Sequence, residues 1–251
     1  MKVVAISDLH GDLIKNIPSC DVVCICGDIC PLDIQNNTYK CVSWFCLDFL
    51  PWTNSLPCKK VIFIAGNHDF FLQDIHKKHR RFTYDESEGL VEEFTWQSPS
   101  GVMKNLLVGS HKGESKLIYL CDNSVEIEGK TFYGTPWVAD LKNWAFYKDE
   151  EQLGITYGNI PKKVDVLMTH MPSVLNETGT VLQNGNYNTG ARFGSIILGD
   201  IIEKRDIKYA LCGHVHSGNH IPFECNGTNV VNVSIKDENY KVNYTPFEFE
   251  I

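Results

Sequence analysis

Nine side chains punctuate this chain in an order that bears on chemistry: Asp8 and His10, then Asp28, then Asn67, His68 and Asp69, then His170, then His214 and His216. Each group closes a short apolar run. VVAIS leads to Asp8, VVCIC to Asp28, VIFIA to Asn67, VDVLMT to His170 and KYALC to His214. Carboxylates, imidazoles and an amide form a mixed oxygen and nitrogen donor set, which suits Mn, Fe, Zn, Ni or Co better than Ca or Mg. Asp8 and His10 are spaced i, i+2, as are His214 and His216, so each pair points one way on an extended chain. Glycines before Asp28, Asn67 and His214 permit sharp turns and close backbone approach. Singly these motifs say little: a Gly-Asn-His is often a turn, and a histidine after a strand is more often a core or capping residue. Together, in order and each at the end of an apolar run, they point to a metal site.

The elements that must position these groups are legible as runs of four to six apolar residues rich in Val and Ile, the pattern of strands buried on both faces. NLLVG (105–109), KLIYL (116–120), TFYG (131–134) and NVVNVS (229–234) add to the five runs above. Helical spacing is expected over residues 39–50, 69–80, 145–153 and 194–205. Strands alternating with helices predict an α/β chain, and the strand-dense stretch 98–135 predicts a mixed sheet. The segment NVVNVSIKDENYKVNY reads as a closing hairpin. No linker divides the 251 residues, and one domain is expected. In α/β sheets, sites form beyond the carboxyl ends of the strands, so parallel neighbours would bring the groups together.

Composition narrows the function classes. The chain is 43% hydrophobic and 22% charged, as in ordinary globular proteins. Its net charge of −8 leaves no basic stripe for long nucleic acid. No apolar run reaches the roughly 18 residues of a membrane helix. The start, MKVVAISDLHGD, reads as a first strand and not a secretory segment, so a cytoplasmic location is expected. Ten cysteines, several inside apolar runs, read as free buried thiols.

The ordered motifs resemble the calcineurin-like metallophosphoesterase superfamily, whose pattern is D-x-H, GD, GNH[DE], a strand-end His and GHxH. Every element is present between residues 8 and 216. Within it, GTPWVAD (134–140) and MTHMPS (168–173) look like the small class III cyclic-nucleotide phosphodiesterase branch and the related metallophosphoesterase-domain proteins. The resemblance implies a two-sheet mixed β-sandwich flanked by helices, with a dimetal site at the strand ends. It assigns Asp8, His10, Asp28 and His216 to one divalent transition-metal ion, with Mn favoured. A second ion takes Asp28, Asn67, His170 and His214, with Asp28 bridging. His68 then assists the leaving oxygen, and Asp69 orients His68 from behind. Two ions acidify a bridging water and neutralise the phosphoryl oxygens during in-line attack.

The expected substrate is a small phosphodiester, a cyclic nucleotide or a cyclic di- or oligonucleotide. The stretch GDICPLD lacks the arginine of the protein-phosphatase branch, and the domains and basic surface of the nuclease branch are missing. Phosphomonoesterase, nucleotide pyrophosphatase and silent metal-bound scaffold remain as alternatives. Arg192 is a candidate contact to a second phosphate or a base, Trp137 a candidate pocket residue, and Tyr187 and Phe193 candidate base-stacking residues. His111 reads as a surface histidine, and HKKHRR (76–81) as a solvated helix end.

Overall fold

The computed structural model describes residues 1–78, 80–85, 89–94, 116–139, 141–180 and 190–251. Two mixed sheets carry the architecture. The first contains β1 (Lys2–Ile6), β2 (Val22–Cys26), β3 (Lys60–Ile64), β6 (Leu117–Tyr119) and β13 (Phe247–Glu250), in the order β13-β1-β2-β3-β6. Its strands run parallel except β13, which pairs antiparallel with β1. The second contains β7 (Asn123–Ile127), β8 (Lys130–Thr135), β9 (Lys163–Thr169), β10 (Asp206–Cys212), β11 (Phe223–Cys225) and β12 (Thr228–Asn232). Its order is β11-β12-β10-β9-β8-β7, with parallel pairs in the middle and antiparallel pairs at both edges. A hairpin of β4 (Arg80–Asp85) and β5 (Gly89–Phe94) stands apart.

Alternation within each strand fills two cores, because successive side chains leave opposite faces. Val3, Ala5, Val22, Cys24, Ile62 and Ile64 join Phe132, Val166, Met168, Leu211 and Val231 between the sheets. Val4, Ile6, Val23, Ile25, Val61 and Phe63 belong to a second cluster with Cys41, Phe45, Phe49, Phe71 and Ile75 from the helices. The apolar runs therefore serve both faces, as their composition predicts.

Among the described residues the helical segments are α1 (Thr38–Trp44), a π-helical turn at Phe45–Phe49, α2 (Leu50–Ser55), α3 (Phe70–Lys78), α4 (Glu150–Gly158), a 3-10 turn at Leu175–Glu177 and α5 (Ile196–Lys204). The first three segments extend past the expected end at 50, because Pro51 sits in the first turn of α2, where its missing N–H costs nothing. The helix expected at 145–153 starts later, at a capping box in which Asp149 accepts the Gln152 N–H at 2.8 Å. α3 stops at Lys78 and strand follows from Arg80, so HKKHRR straddles a boundary and is not one helix end. The closing hairpin reduces to one bridge, Lys236 to Val242, around a tight turn. The terminal Phe-Glu-Phe-Glu forms the last strand instead. NLLVG and His111 lie outside the described residues. Among the described residues no helix is long and apolar enough to cross a membrane.

Candidate metal centre

The five motif-bearing runs end at the same side of the molecule but belong to different sheets. β1, β2 and β3 deliver Asp8, Asp28 and Asn67, while β9 and β10 deliver His170 and His214. The sheets are stitched together there. Ser7 bridges Ser234, Ser7 Oγ donates to Cys26 O at 2.9 Å, and the His170 ring reaches the same carbonyl at 2.8 Å.

Local backbone geometry is unusual where the donors sit. Asp8, His10, Asp28 and His214 have φ of 59°, 44°, 53° and 71°, in the left-handed region. Such conformations cost a non-glycine residue roughly 1–3 kcal/mol and persist only where surrounding structure enforces them. The extended i, i+2 arrangement expected for these motifs therefore does not hold; tight turns aim the side chains. Two of the glycines act by leaving room. A Cβ on Gly66 would lie 2.6 Å from Asp28 N and 2.7 Å from His170 Cε1, and one on Gly213 would meet Ser7 Oγ and Asp8 Oδ2.

The side chains converge. Asp8 is fully buried and Asp28 nearly so. Asp28 Oδ2 lies 3.3 Å from His170 Nε2, 3.8 Å from His10 Nε2 and 3.9 Å from His68 Nε2. Asp8 Oδ1 lies 3.5 Å from His216 Nε2, which is 3.3 Å from His10 Nε2. Asn67 Oδ1 sits 2.9 Å from His170 Nε2 and 2.8 Å from His214 Nδ1. Three overlapping carboxylate–imidazole groups result: Asp8, His10 and His216; His10, Asp28 and His68; Asp8, Asp28 and His170.

The donor chemistry fits cations. His170 Nδ1 faces Cys26 O, and His216 Nδ1 faces Asp237 O at 3.0 Å; a carbonyl accepts only, so both Nδ1 atoms carry protons. In the neutral rings the Nε2 lone pairs then point at Asp28, Asn67 and Asp8, which are themselves acceptors. The His10 Nδ1 atom is buried without a partner, while its Nε2 faces another Nε2. Acceptors aimed at acceptors in a buried space need positive charge between them. The titration directions agree. Burial opposes ionisation of Asp28 and Asp8, yet the neighbouring histidines hold both below the usual carboxylate range. Burial also opposes protonation of His170, but Asp28 and Asp8 lift it to about 9. Burial pushes His10 down to about 3.

The expected partner of His68 is corrected. Asp69 Oδ1 accepts from Ile29 N and Cys30 N at 3.1 and 2.9 Å, and its Oδ2 accepts from Gly66 N at 2.8 Å. Its carboxylate thus turns inward and pins two strand-end turns together. His68 Nδ1 instead meets Gln35 Oε1 at 2.5 Å. Gln35 lies between β2 and α1, in a stretch without motif character, and nothing local in the sequence marks it.

An open cleft of about 200 Å³ lies over the centre, lined in part by Leu141, Trp144, Phe193, Glu238 and Tyr240. Trp144 packs on His68 at 4.4 Å between ring centroids. Tyr240 packs edge-on against His10 and His216 at 4.9 and 5.0 Å. Trp137 is not there: it is buried, its Nε1 donates to Asp122 Oδ2 at 2.7 Å, and Lys148 Nζ sits 3.7 Å above its ring. Arg192 is exposed and absent from the cleft lining, while Phe193 beside it faces in. Tyr187 lies outside the described residues.

The model of the calcineurin-like phosphoesterase family matches residues 1–218. The chain belongs to this family. Among proteins similar to this calcineurin-like phosphoesterase are two from Caenorhabditis elegans, UPF0046 protein T07D4.2 and UPF0046 protein C25E10.12. They are 28% identical to it over 264 and 262 residues, across 100% of its length. The chain spans 60% of the first and 81% of the second. One solved crystal structure superposes with a TM-score of 0.58 over 92% of this chain and 89% of the other, at 13% identity, a likeness of fold.

Proposed function

We propose that this calcineurin-like phosphoesterase is a metal-dependent phosphodiesterase acting on a small diester of the 3′,5′-cyclic nucleotide type. The observation that carries this reading is the convergence of five strand ends on two buried carboxyl groups that face imidazole nitrogens. Asp8, His10, Asp28 and His216 would hold one divalent ion; Asp28, Asn67, His170 and His214 would hold the other, Mn being our choice. Such ions, when bound, offset the charge of the phosphate and make water acidic enough to attack near neutral pH.

The chain's own residues do the rest. The tight turns after β1 and β2 fix the donors, so little reorganisation accompanies binding. Gln35 holds the proton on His68 Nδ1, leaving His68 Nε2 to face the centre and pass a second proton to the departing oxygen. Gln35 is a positioning residue here, and Asp69 a structural one. A diester is favoured by the cleft wall. Among the described residues it carries Leu141, Trp144, Phe193 and Tyr240 but no lysine or arginine, which suits a second apolar substituent better than a dianion.

The test is to strip the protein of metal, restore Mn²⁺ and compare a bis-aryl phosphodiester with the matching aryl monoester. Diester turnover at least about tenfold faster is expected, given that catalytic discrimination of this size needs only about 1.4 kcal/mol. Preference for the monoester would overturn the assignment.

A further inference from the structure

Glu238 is out of place in a cleft that must receive an anion. Its Oε1 accepts the Ser217 N–H at 2.8 Å, one residue beyond the proposed ligand His216, and its side chain lines the cleft. The turn that carries it is rigid. Asp237 Oδ1 accepts from Asn239 N and Lys241 N at 2.9 and 3.0 Å, and the Asp237 carbonyl holds both Tyr240 N and the His216 ring. Among the described residues Glu238 forms no ion pair. The buried Lys236 ammonium is committed to Asp12 and to Tyr240 O. The second oxygen of Glu238 has no hydrogen-bond partner among the described residues.

A carboxylate only accepts hydrogen bonds. Beside a phosphate it is repelled, unless the substrate brings it a donor. Because Glu238 is tied to the residue after His216, that donor must lie within a few bonds of phosphorus. We infer that Glu238 accepts a hydrogen bond from a hydroxyl on the carbon next to the esterified one, as the ribose 2′-hydroxyl of a 3′,5′-cyclic nucleotide offers, and so selects ribo- over deoxyribonucleotides. Trp144 and Phe193 supply flat apolar surface for the base. The same carboxylate repels any further phosphate, which disfavours pyrophosphate substrates. This inference rests on the phosphodiesterase reading and names the substituent that reading left open.

The experiment compares kcat/KM for 3′,5′-cyclic AMP and its 2′-deoxy analogue in Mn²⁺-loaded protein. The original chain should favour the ribonucleotide by about tenfold or more, since one hydrogen bond to a charged group contributes about 1.5–3 kcal/mol. Glu238→Ala should bring the ratio near one, and Glu238→Gln, which keeps an acceptor oxygen, should restore part of it. Metal content of Glu238→Ala separates loss of the acceptor from loss of the centre. A ratio near one in the unaltered chain, or an unchanged ratio in Glu238→Ala with full metal content, overturns the inference. So does turnover of the bis-aryl diester without turnover of either nucleotide. If no diester is hydrolysed the phosphodiesterase reading fails by itself, and the ribo-to-deoxy ratio is then read from equilibrium binding, where equal affinities overturn the inference.

Discussion

The floor and the wall of the cleft are built in different ways. The floor comes from strand ends: Asp8, Asp28, Asn67 and His170 are nearly or fully buried, and tight left-handed turns aim several of the donors. The wall comes from separate loops that supply Leu141 and Trp144, Phe193, and Glu238 and Tyr240. Rigid sheets hold the floor to fractions of an ångström, which ion binding demands. Loops carry the wall, where local change is tolerated. Under the proposed function this is a division of labour: the floor would set whether chemistry occurs, and the wall on what.

The sharpest way to break that division is to remove the carboxylate shared by both proposed ion sites. Asp28→Asn should lose bound metal and at least about a thousandfold in diester turnover, the scale on which removing one electrostatic stabiliser acts. Metal analysis beside the rate decides it; full metal content and full activity would refute the proposed centre. Gln35→Leu sits between floor and wall. It should leave metal content intact and lower kcat by about 10- to 100-fold for substrates with poor leaving groups. An aryl diester, which needs little proton assistance, should slow far less, and equal slowing of both would argue against a role through His68.

The two tryptophans of the β8–α4 connection sharpen the comparison. Trp144→Ala should raise KM by roughly tenfold, the effect of losing about 1–3 kcal/mol of stacking surface, with little change in Tm. Trp137→Ala should do the reverse, costing about 3–5 kcal/mol of stability as a buried large-to-small change. Exchanged phenotypes, read by kinetics and thermal melting, would place the wall wrongly. The smallest effect lies far from the cleft. Burial pushes the Asp165 carboxyl up, but the Lys208 ammonium and the Thr131 N–H outweigh it and hold it below its ordinary value. A depressed folded value means its stabilisation is complete above the unfolded value of about 3.9 and fades as pH falls through the folded one. The Tm gap between the unaltered chain and Asp165→Asn should therefore be widest near pH 6 and close toward pH 3. A constant gap would remove the charge from the explanation.

Particular residues show how far local sequence reaches. Asp28 and His170 are readable because a polar group that abruptly ends a β-branched run is a local signal. The start of α4 is also readable, from the capping pair Asp149 and Gln152, although the helical spacing alone points earlier, to residue 145. Gln35 and Glu238 give no such signal: each meets a partner far along the chain, His68 and Ser217 respectively. Asp69 departs from the role the family resemblance implies, because consecutive side chains diverge and its carboxylate accepts from three buried amides.

By itself the sequence determined the donor types, their order, the α/β character and the family, since each is a property of residues and their near neighbours. Only the tertiary structure decided that two sheets share the site, that Gln35 and not Asp69 meets His68, and that Trp144 and not Trp137 faces the cleft. Those outcomes follow from packing between segments far apart along the chain, where the burial of apolar faces fixes which side chains remain to point at one another.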